Sequence, residues 1–169
     1  MSPVTRRGFL MLGTAGLLSA CSAVGPAPGT TTSPAQLSTA SITAAINGVR
    51  AANGRPPLAY NPRLEAAARA QAQLMARRDQ LSHDLGVTLR QRVTTAGYDG
   101  AVGENLAGGQ KTLQQAIQGW LDSPSHRETL LSTRFTEFGL AAASVGDGRK
   151  SRYGTYWAMI AGGSFDAWR

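Results

Sequence analysis

Cysteine is almost missing from this chain: Cys21 is the single one, so no internal disulfide can staple the fold. Histidine is nearly as scarce, with only His83 and His126. Lysine occurs only at positions 111 and 150, so the net charge of +7 is carried almost wholly by arginine. After the first twenty or so residues no apolar run is long enough to span a bilayer, which excludes a multi-span membrane protein. The basic residues are scattered, and no helix-turn-helix, zinc-finger or base-stacking pattern organises them, so no nucleic-acid partner is expected. There is no Gly-x-Ser-x-Gly elbow and no His-Glu-x-x-His helix, which removes the common serine-hydrolase and zinc-protease signatures.

The N-terminus carries an address. Arg6-Arg7 precede an apolar stretch from Phe9 to Ala20 that is too short for a mature transmembrane helix. Thr5-Arg6-Arg7-Gly8-Phe9-Leu10 resembles a twin-arginine export signal, and Leu18-Ser19-Ala20-Cys21 resembles a bacterial lipobox. Cleavage before Cys21 would leave that cysteine as the lipidated first residue; the alternative is a plain secretory leader with an incidental cysteine. Each buried methylene of a lipid contributes about 0.8 kcal/mol, so more than one acyl chain is needed for stable anchoring. A lipid-bound thiol also excludes a cysteine protease. Residues 22–37 are mostly Ala, Gly, Pro, Thr and Ser, with no charge and almost nothing to bury, the composition of a tether. The expected organisation is a signal peptide over 1–20, a lipidated cysteine and flexible tether over 21–37, and one domain over 38–169. Its excess of arginine suits anionic lipid headgroups or wall polymers, or reflects codon bias.

Within the body, Ile42, Ala45, Ile46 and Val49 recur at helical spacing, predicting a helix from Ser41 to Asn53 that Gly54 and Pro56-Pro57 end. Leu58-Ala59-Tyr60 reads as an extended connector. Asn61 caps and Pro62 starts a second helix running to about Gln80, with Glu65 in its first turn. His83 then falls just beyond its C-terminal end. Thr88 to Ala96 reads as a shorter helix. Tyr98 to Gly109, punctuated by glycines, reads as a loop or short strand carrying Glu104. Thr112 to Leu121 is a helix whose Thr112 and Gln115 suit a capping box, and a further helical turn from Ser125 to Leu131 carries His126. The period then changes. Phe138–Val145 and Tyr153–Ile160 read as antiparallel strands about a Gly146-Asp147-Gly148 turn. Helices first and strands last predict an α+β fold. Trp120, Tyr156 and Trp157 fall on buried faces and are expected in the core, not on a ligand platform.

The two histidines and two of the glutamates, Glu104 and Glu137, lie in or near short motifs: Ser82-His83-Asp84, Gly103-Glu104-Asn105-Leu106, Ser123-Pro124-Ser125-His126-Arg127 and Thr136-Glu137-Phe138-Gly139. If they converge, the imidazoles supply donors suited to zinc or a similar divalent ion, and the carboxylates can act as water-mediated ligands, orienting partners or a general base. The bland alternative is a hydrogen-bonded lock tying helix ends to the sheet, with Asn105 and Arg127 in capping and salt-bridging roles. Ser82, Ser125 and Ser132 are candidate nucleophiles, but Ser82-His83 and Ser125-His126 are sequence neighbours, a spacing that seldom gives nucleophile–base geometry.

Taken in order, His83, Gly-Glu-Asn-Leu-Ala-Gly-Gly at 103–109, Trp120-Leu121-Asp122-Ser123-Pro124-Ser125-His126-Arg127, Glu137-Phe138-Gly139 and Tyr156-Trp157 resemble the CAP superfamily, the SCP/PR-1-like domain, in its bacterial form. The resemblance covers about residues 40–165. It implies an α-β-α sandwich around a small antiparallel sheet. It also implies a cleft of two histidines and two glutamates, with His83 and Glu104 in the first two places, His126 as the second histidine and Glu137 as the second acid. Some relatives bind a divalent metal there. This chain departs from the pattern at Trp157-Ala158-Met159, where relatives often have Trp-Thr-Gln, and at Ser125, where they have glycine. The resulting expectation is an exported, lipid-anchored, monomeric binding domain of the cell envelope. Its ligand would be a lipid, a cell-wall component or a protein, with zinc or another divalent cation held by His83 and His126. The alternative is a metal-assisted hydrolase using Glu104 or Glu137.

Overall fold

A computed structural model describes residue 34 and residues 37–146 and 149–169 of the chain. The expected leader, Cys21, most of the expected tether and part of the expected turn at 146–148 lie outside the described residues. Among the described residues are five α-helices and four strands: α1 (Thr39–Ala52), β1 (Ala59–Tyr60), α2 (Pro62–Arg78), α3 (Leu89–Thr95), β2 (Ala101–Gly108), α4 (Leu113–Asp122), α5 (Pro124–Leu131), β3 (Glu137–Ser144) and β4 (Thr155–Gly163). A short 3-10 helix, Phe165–Trp168, follows. None of these helices is long and apolar enough to cross a membrane.

The helices start where local chemistry lets them. Ser38 and Ser41 form a reciprocal capping box on α1, and Thr88 and Gln91 do the same on α3. The Asn61 side chain accepts from the Arg63 and Leu64 amides, with Pro62 in the first helical turn. At α4, Thr112 accepts from the Gln115 amide, but the Gln115 side chain accepts from Lys111 instead of closing the box. Asp79 ends α2 in the left-handed conformation, φ 51°. Its carboxylate accepts from the Tyr156 hydroxyl at 2.7 Å, from the Arg152 amide and from Ser151, which ties the end of α2 to the start of β4.

The sheet runs β1-β3-β4-β2 and is antiparallel except that β1 pairs parallel with β3. Two elements differ from the sequence expectation. The connector at Ala59-Tyr60 is a strand, because Ala59 N donates to Thr136 O and Asn61 N to Phe138 O. The glycine-rich segment is a full eight-residue strand, because every residue from Ala101 to Gly108 has a partner on β4. Its glycines mark close approach to neighbours, not irregular backbone.

Strict alternation on β4 divides the core in two. Trp157, Met159 and Ala161 face α1, α4 and α5, with Ile46, Ile117, Trp120 and Leu130. Tyr156, Ala158 and Ile160 face α2 and α3, with Leu64, Met75 and Val93. The result is an α-β-α sandwich, and all three expected aromatics are in its core: Trp120, Tyr156 and Trp157 are fully buried. The final strand's Ala158 and Met159 therefore belong to packing on either side of the sheet. Gly139 sets the distance between α2 and the sheet, since a Cβ there would overlap the backbone of Leu64 and Glu65. We predict that Gly139→Ala destabilises the protein by about 3 kcal/mol through forced separation of these layers. Denaturant titration with circular dichroism would check this; an unchanged midpoint would show that α2 can shift freely.

Candidate functional site

Arg92 of α3 is the hub of the polar site. Its side chain is 3% exposed and donates from Nη2 to Glu104 Oε1 at 2.6 Å. Nη1 donates to Val87 O at 2.5 Å and to His83 O at 3.3 Å. One buried guanidinium thus holds the strand carboxylate and the loop that bears His83. The other Glu104 oxygen accepts from His83 Nδ1 at 2.9 Å. A carboxylate can only accept, so Nδ1 carries the hydrogen and Nε2 is the ring edge left to other partners. The two members differ in exposure: Glu104 is 2% exposed and the His83 side chain 62%. The loop is held further by Gln71 Nε2 donating to Ser82 O at 2.5 Å and by Gly86 N donating to Asp84 Oδ1.

His126 arrives from the other helical layer. It lies in the first turn of α5, and its Nδ1 is 2.7 Å from the Oγ of Ser123, the N-cap residue, which makes no backbone capping bond. Fully buried Asn105 donates from Nδ2 to His126 O at 2.8 Å and so pins this turn to β2. Gly103 permits the approach, because a Cβ there would press on Phe135 and on Thr129 of α5. Since β2 is an edge strand and Glu104 and Asn105 point to opposite faces, the site wraps around the free edge of the sheet. His83 approaches from one side of that edge and His126 from the other.

Glu137 is not part of this constellation. Its Oε1 accepts from Asn61 Nδ2 at 3.1 Å and its Oε2 from the Tyr98 hydroxyl at 3.0 Å, so the carboxylate locks the start of α2 and the end of the α3 segment to β3. Register explains this. Glu104 pairs with Ile160, whereas Glu137 pairs with Gly162, two residues along and across β4 from β2. Arg127 donates to Leu121 O and forms no salt bridge among the described residues, contrary to its expected role. Arg92 and Ser123 are the site residues that sequence reasoning missed. An arginine on a short amphipathic helix carries no motif, and only the capping position of Ser123 before Pro124 hinted at its bond to His126.

The model of the CAP family, described as the cysteine-rich secretory protein family, matches residues 43–160. The chain belongs to this family. A curated relative, the uncharacterized protein YkwD of Bacillus subtilis (strain 168), is 28% identical over 122 residues, which cover 69% of this chain and 48% of that one. The chain thus spans about half the length of the curated relative it matches. Among solved structures, an extracellular protein containing an SCP domain from Bacillus anthracis aligns with TM-score 0.63 and 26% identity, covering 73% of this chain and 39% of that one. An outer surface protein of Borrelia burgdorferi aligns with TM-score 0.63 and 25% identity, covering 73% and 90%.

In this CAP domain the donors do not fit a resident divalent cation. Both Glu104 oxygens are engaged, and the adjacent Arg92 guanidinium repels a second cation. Glu137 is bound elsewhere. Among the described residues no group of three or more His, Cys, Asp or Glu is placed to hold a metal. Two imidazole edges remain, short of the three protein ligands of an open zinc site. The Ser123–His126 contact is local to the first turn of α5, and among the described residues no hydrogen bond joins either residue to a carboxylate in the manner of a triad.

The two imidazoles titrate in opposite directions. The hydrogen bond to Glu104 raises the pKa of His83 above its ordinary 6.5, against opposition from burial and Arg92. Burial first, and the charge on His83 second, lower that of His126 below 6.5. A raised folded pKa means that the stabilisation from His83 is complete below pH 6.5 and is lost as pH rises through the folded value. For His126 the neutral form is favoured, so stability declines as pH falls from 6.5 through its folded value. We predict that NMR titration will show His83 titrating above and His126 below 6.5. In Glu104→Gln the His83 value should fall and the His126 value should rise toward 6.5 at a given pH, because less charge sits on His83. Equal pKa values in the parent would contradict this geometry.

Proposed function

We propose that this chain is an extracytoplasmic, envelope-tethered binding domain, whose ligand is an envelope component engaged by His83 and His126 at the free edge of the sheet. The carrying observation is the state of Glu104: its side chain is 2% exposed, and one oxygen is bonded to Arg92 and the other to His83, which leaves little open surface for a substrate. A general base needs hydrogen-bond reach to the proton it removes. What the site offers to solvent is imidazole, one ring biased toward the charged donor form and one toward the neutral form. The leader, the lipobox-like run ending in Cys21 and the extracellular and outer-surface relatives support the location. A metal-assisted hydrolase is the competing reading.

Pelleting of the protein with purified wall sacculi, and flotation with phosphatidylglycerol vesicles, tests the binding role. Retention on one of these should drop about tenfold or more in His83→Ala/His126→Ala, the loss expected for charge-assisted and neutral hydrogen bonds together. Calorimetric titration of zinc should give weak binding that the double variant abolishes, with no ester or peptidoglycan hydrolysis in its presence. Zinc-dependent turnover lost in Glu104→Gln would establish the hydrolase instead.

The anchor has its own test. Cys21→Ala expressed in a lipoprotein-processing bacterium should move the protein from the membrane fraction to the soluble fraction. Retention in the membrane fraction would leave Cys21 without an anchoring role.

A further inference from the structure

We propose a second binding site, for an anionic sugar, in the groove between α5, the loop that follows it and the C-terminal 3-10 helix. The groove has a volume of about 520 Å³ and is lined by Arg55, Arg127 and Arg134 with the indole of Trp168. Glu128 is the one acidic residue on its wall, and among the described residues none of the three arginines forms a salt bridge. Three guanidiniums without a carboxylate partner among the described residues, gathered in one concavity, suit a carboxylate or phosphate, which guanidiniums bind in bidentate fashion.

An independent observation lies behind the groove wall. Arg50 is fully buried, and it donates to Pro56 O, Leu130 O and Ser132 O, all carbonyls. Among the described residues it has no carboxylate partner, and its Nη2 has no hydrogen-bond partner. Ser132 is itself a lining residue, so this buried charge sits beneath the groove. Burial first and then Arg55 lower the proton affinity of Arg50. The fold thus gathers the charges of Arg50, Arg55, Arg127 and Arg134 here against the single carboxylate of Glu128, and an incoming anion would relieve the repulsion.

Trp168 decides the rest of the ligand. It is 47% exposed although large and apolar, and the Arg134 guanidinium lies 4.5 Å from its ring centroid. An indole beside arginines suits a pyranose ring, whose apolar C–H face packs on the aromatic while its acid group meets the guanidiniums. The recess favours a sugar chain over a membrane, because a flat headgroup surface cannot follow a concave floor. The groove is also separate from the histidine site. Pro124, Arg127, Glu128 and Leu131 form one face of α5 at spacings of three, four and seven, and His126 points from the opposite face.

Calorimetric titration of the full-length protein would test this with four probes: trigalacturonate, glucose 6-phosphate, inorganic phosphate and a neutral galactose trisaccharide. At least one sugar acid should bind more tightly than both inorganic phosphate and the neutral sugar. Arg55→Gln/Arg134→Gln should weaken that binding about tenfold or more, and Trp168→Ala about threefold. Arg77→Gln/Arg78→Gln removes the same charge from residues outside the groove and should leave binding unchanged. Equal binding of the neutral sugar or of bare phosphate, or equal losses in the two double-arginine variants, would overturn the proposal. So would capture by phosphatidylglycerol vesicles without binding of either sugar acid.

Discussion

The buried pairing of Glu104 with Arg92 is the interaction around which the site is built. An isolated carboxylate so far from water would carry a large desolvation cost, and here it is offset by a guanidinium at 2.6 Å and an imidazole at 2.9 Å. The same guanidinium satisfies two carbonyls of the segment between α2 and α3. The loop that carries His83 is therefore shaped by a residue from the following helix. Removing either charge would leave the other buried without its partner, which generally costs about 3–5 kcal/mol. Stability and site geometry are thus the same property in this part of the molecule.

Close approach of layers does the remaining positioning. Gly103 lets α5 come down on β2, and Asn105, the residue two positions along on the same face, bonds the backbone of His126. Glu104 lies between them on the other face, where it meets α3 and the His83 loop. A single strand therefore sends alternate side chains to two helical layers, and its unpaired edge is where the two layers' histidines can face a common ligand. Helix α5 extends the logic outward, with His126 on one side and the arginine-bearing groove wall on the other.

Much of this was legible in the sequence because it rests on local rules. The helix starts at Asn61-Pro62 and Thr112, the burial of Trp120 and Trp157, and the position of His83 beyond α2 all follow from capping and periodicity. The strand at Ala101–Gly108 was less visible, since its glycines serve packing by Phe135 and Tyr153 and resemble a loop when read alone. Glu137 was assigned to the site from its place in the order of motifs, but register carries it to Tyr98 and Asn61. Arg92 could not be found at all: its role depends on three acceptors brought together only by the fold. The basic groove was hidden for the same reason, as Arg55, Arg127, Arg134 and Trp168 are scattered over the chain.

The identity of the charge beside Glu104 also bears on what kind of site this is. A carboxylate flanked by two histidines is a usual setting for a divalent ion, because the ion supplies the positive charge that the acid needs. In this chain the guanidinium supplies it permanently, since arginine does not deprotonate in the physiological range. The acid is then neutralised from within, and its remaining oxygen is spent on orienting His83. That leaves His83 biased by the Glu104 hydrogen bond toward its charged form, near His126, a ring that burial and the charge on His83 bias toward its neutral form. Two rings biased in opposite directions can donate to an acceptor and accept from a donor on one ligand. Such a pattern discriminates by hydrogen-bond polarity and needs no bond to be broken, which is the argument for the binding role proposed for this edge.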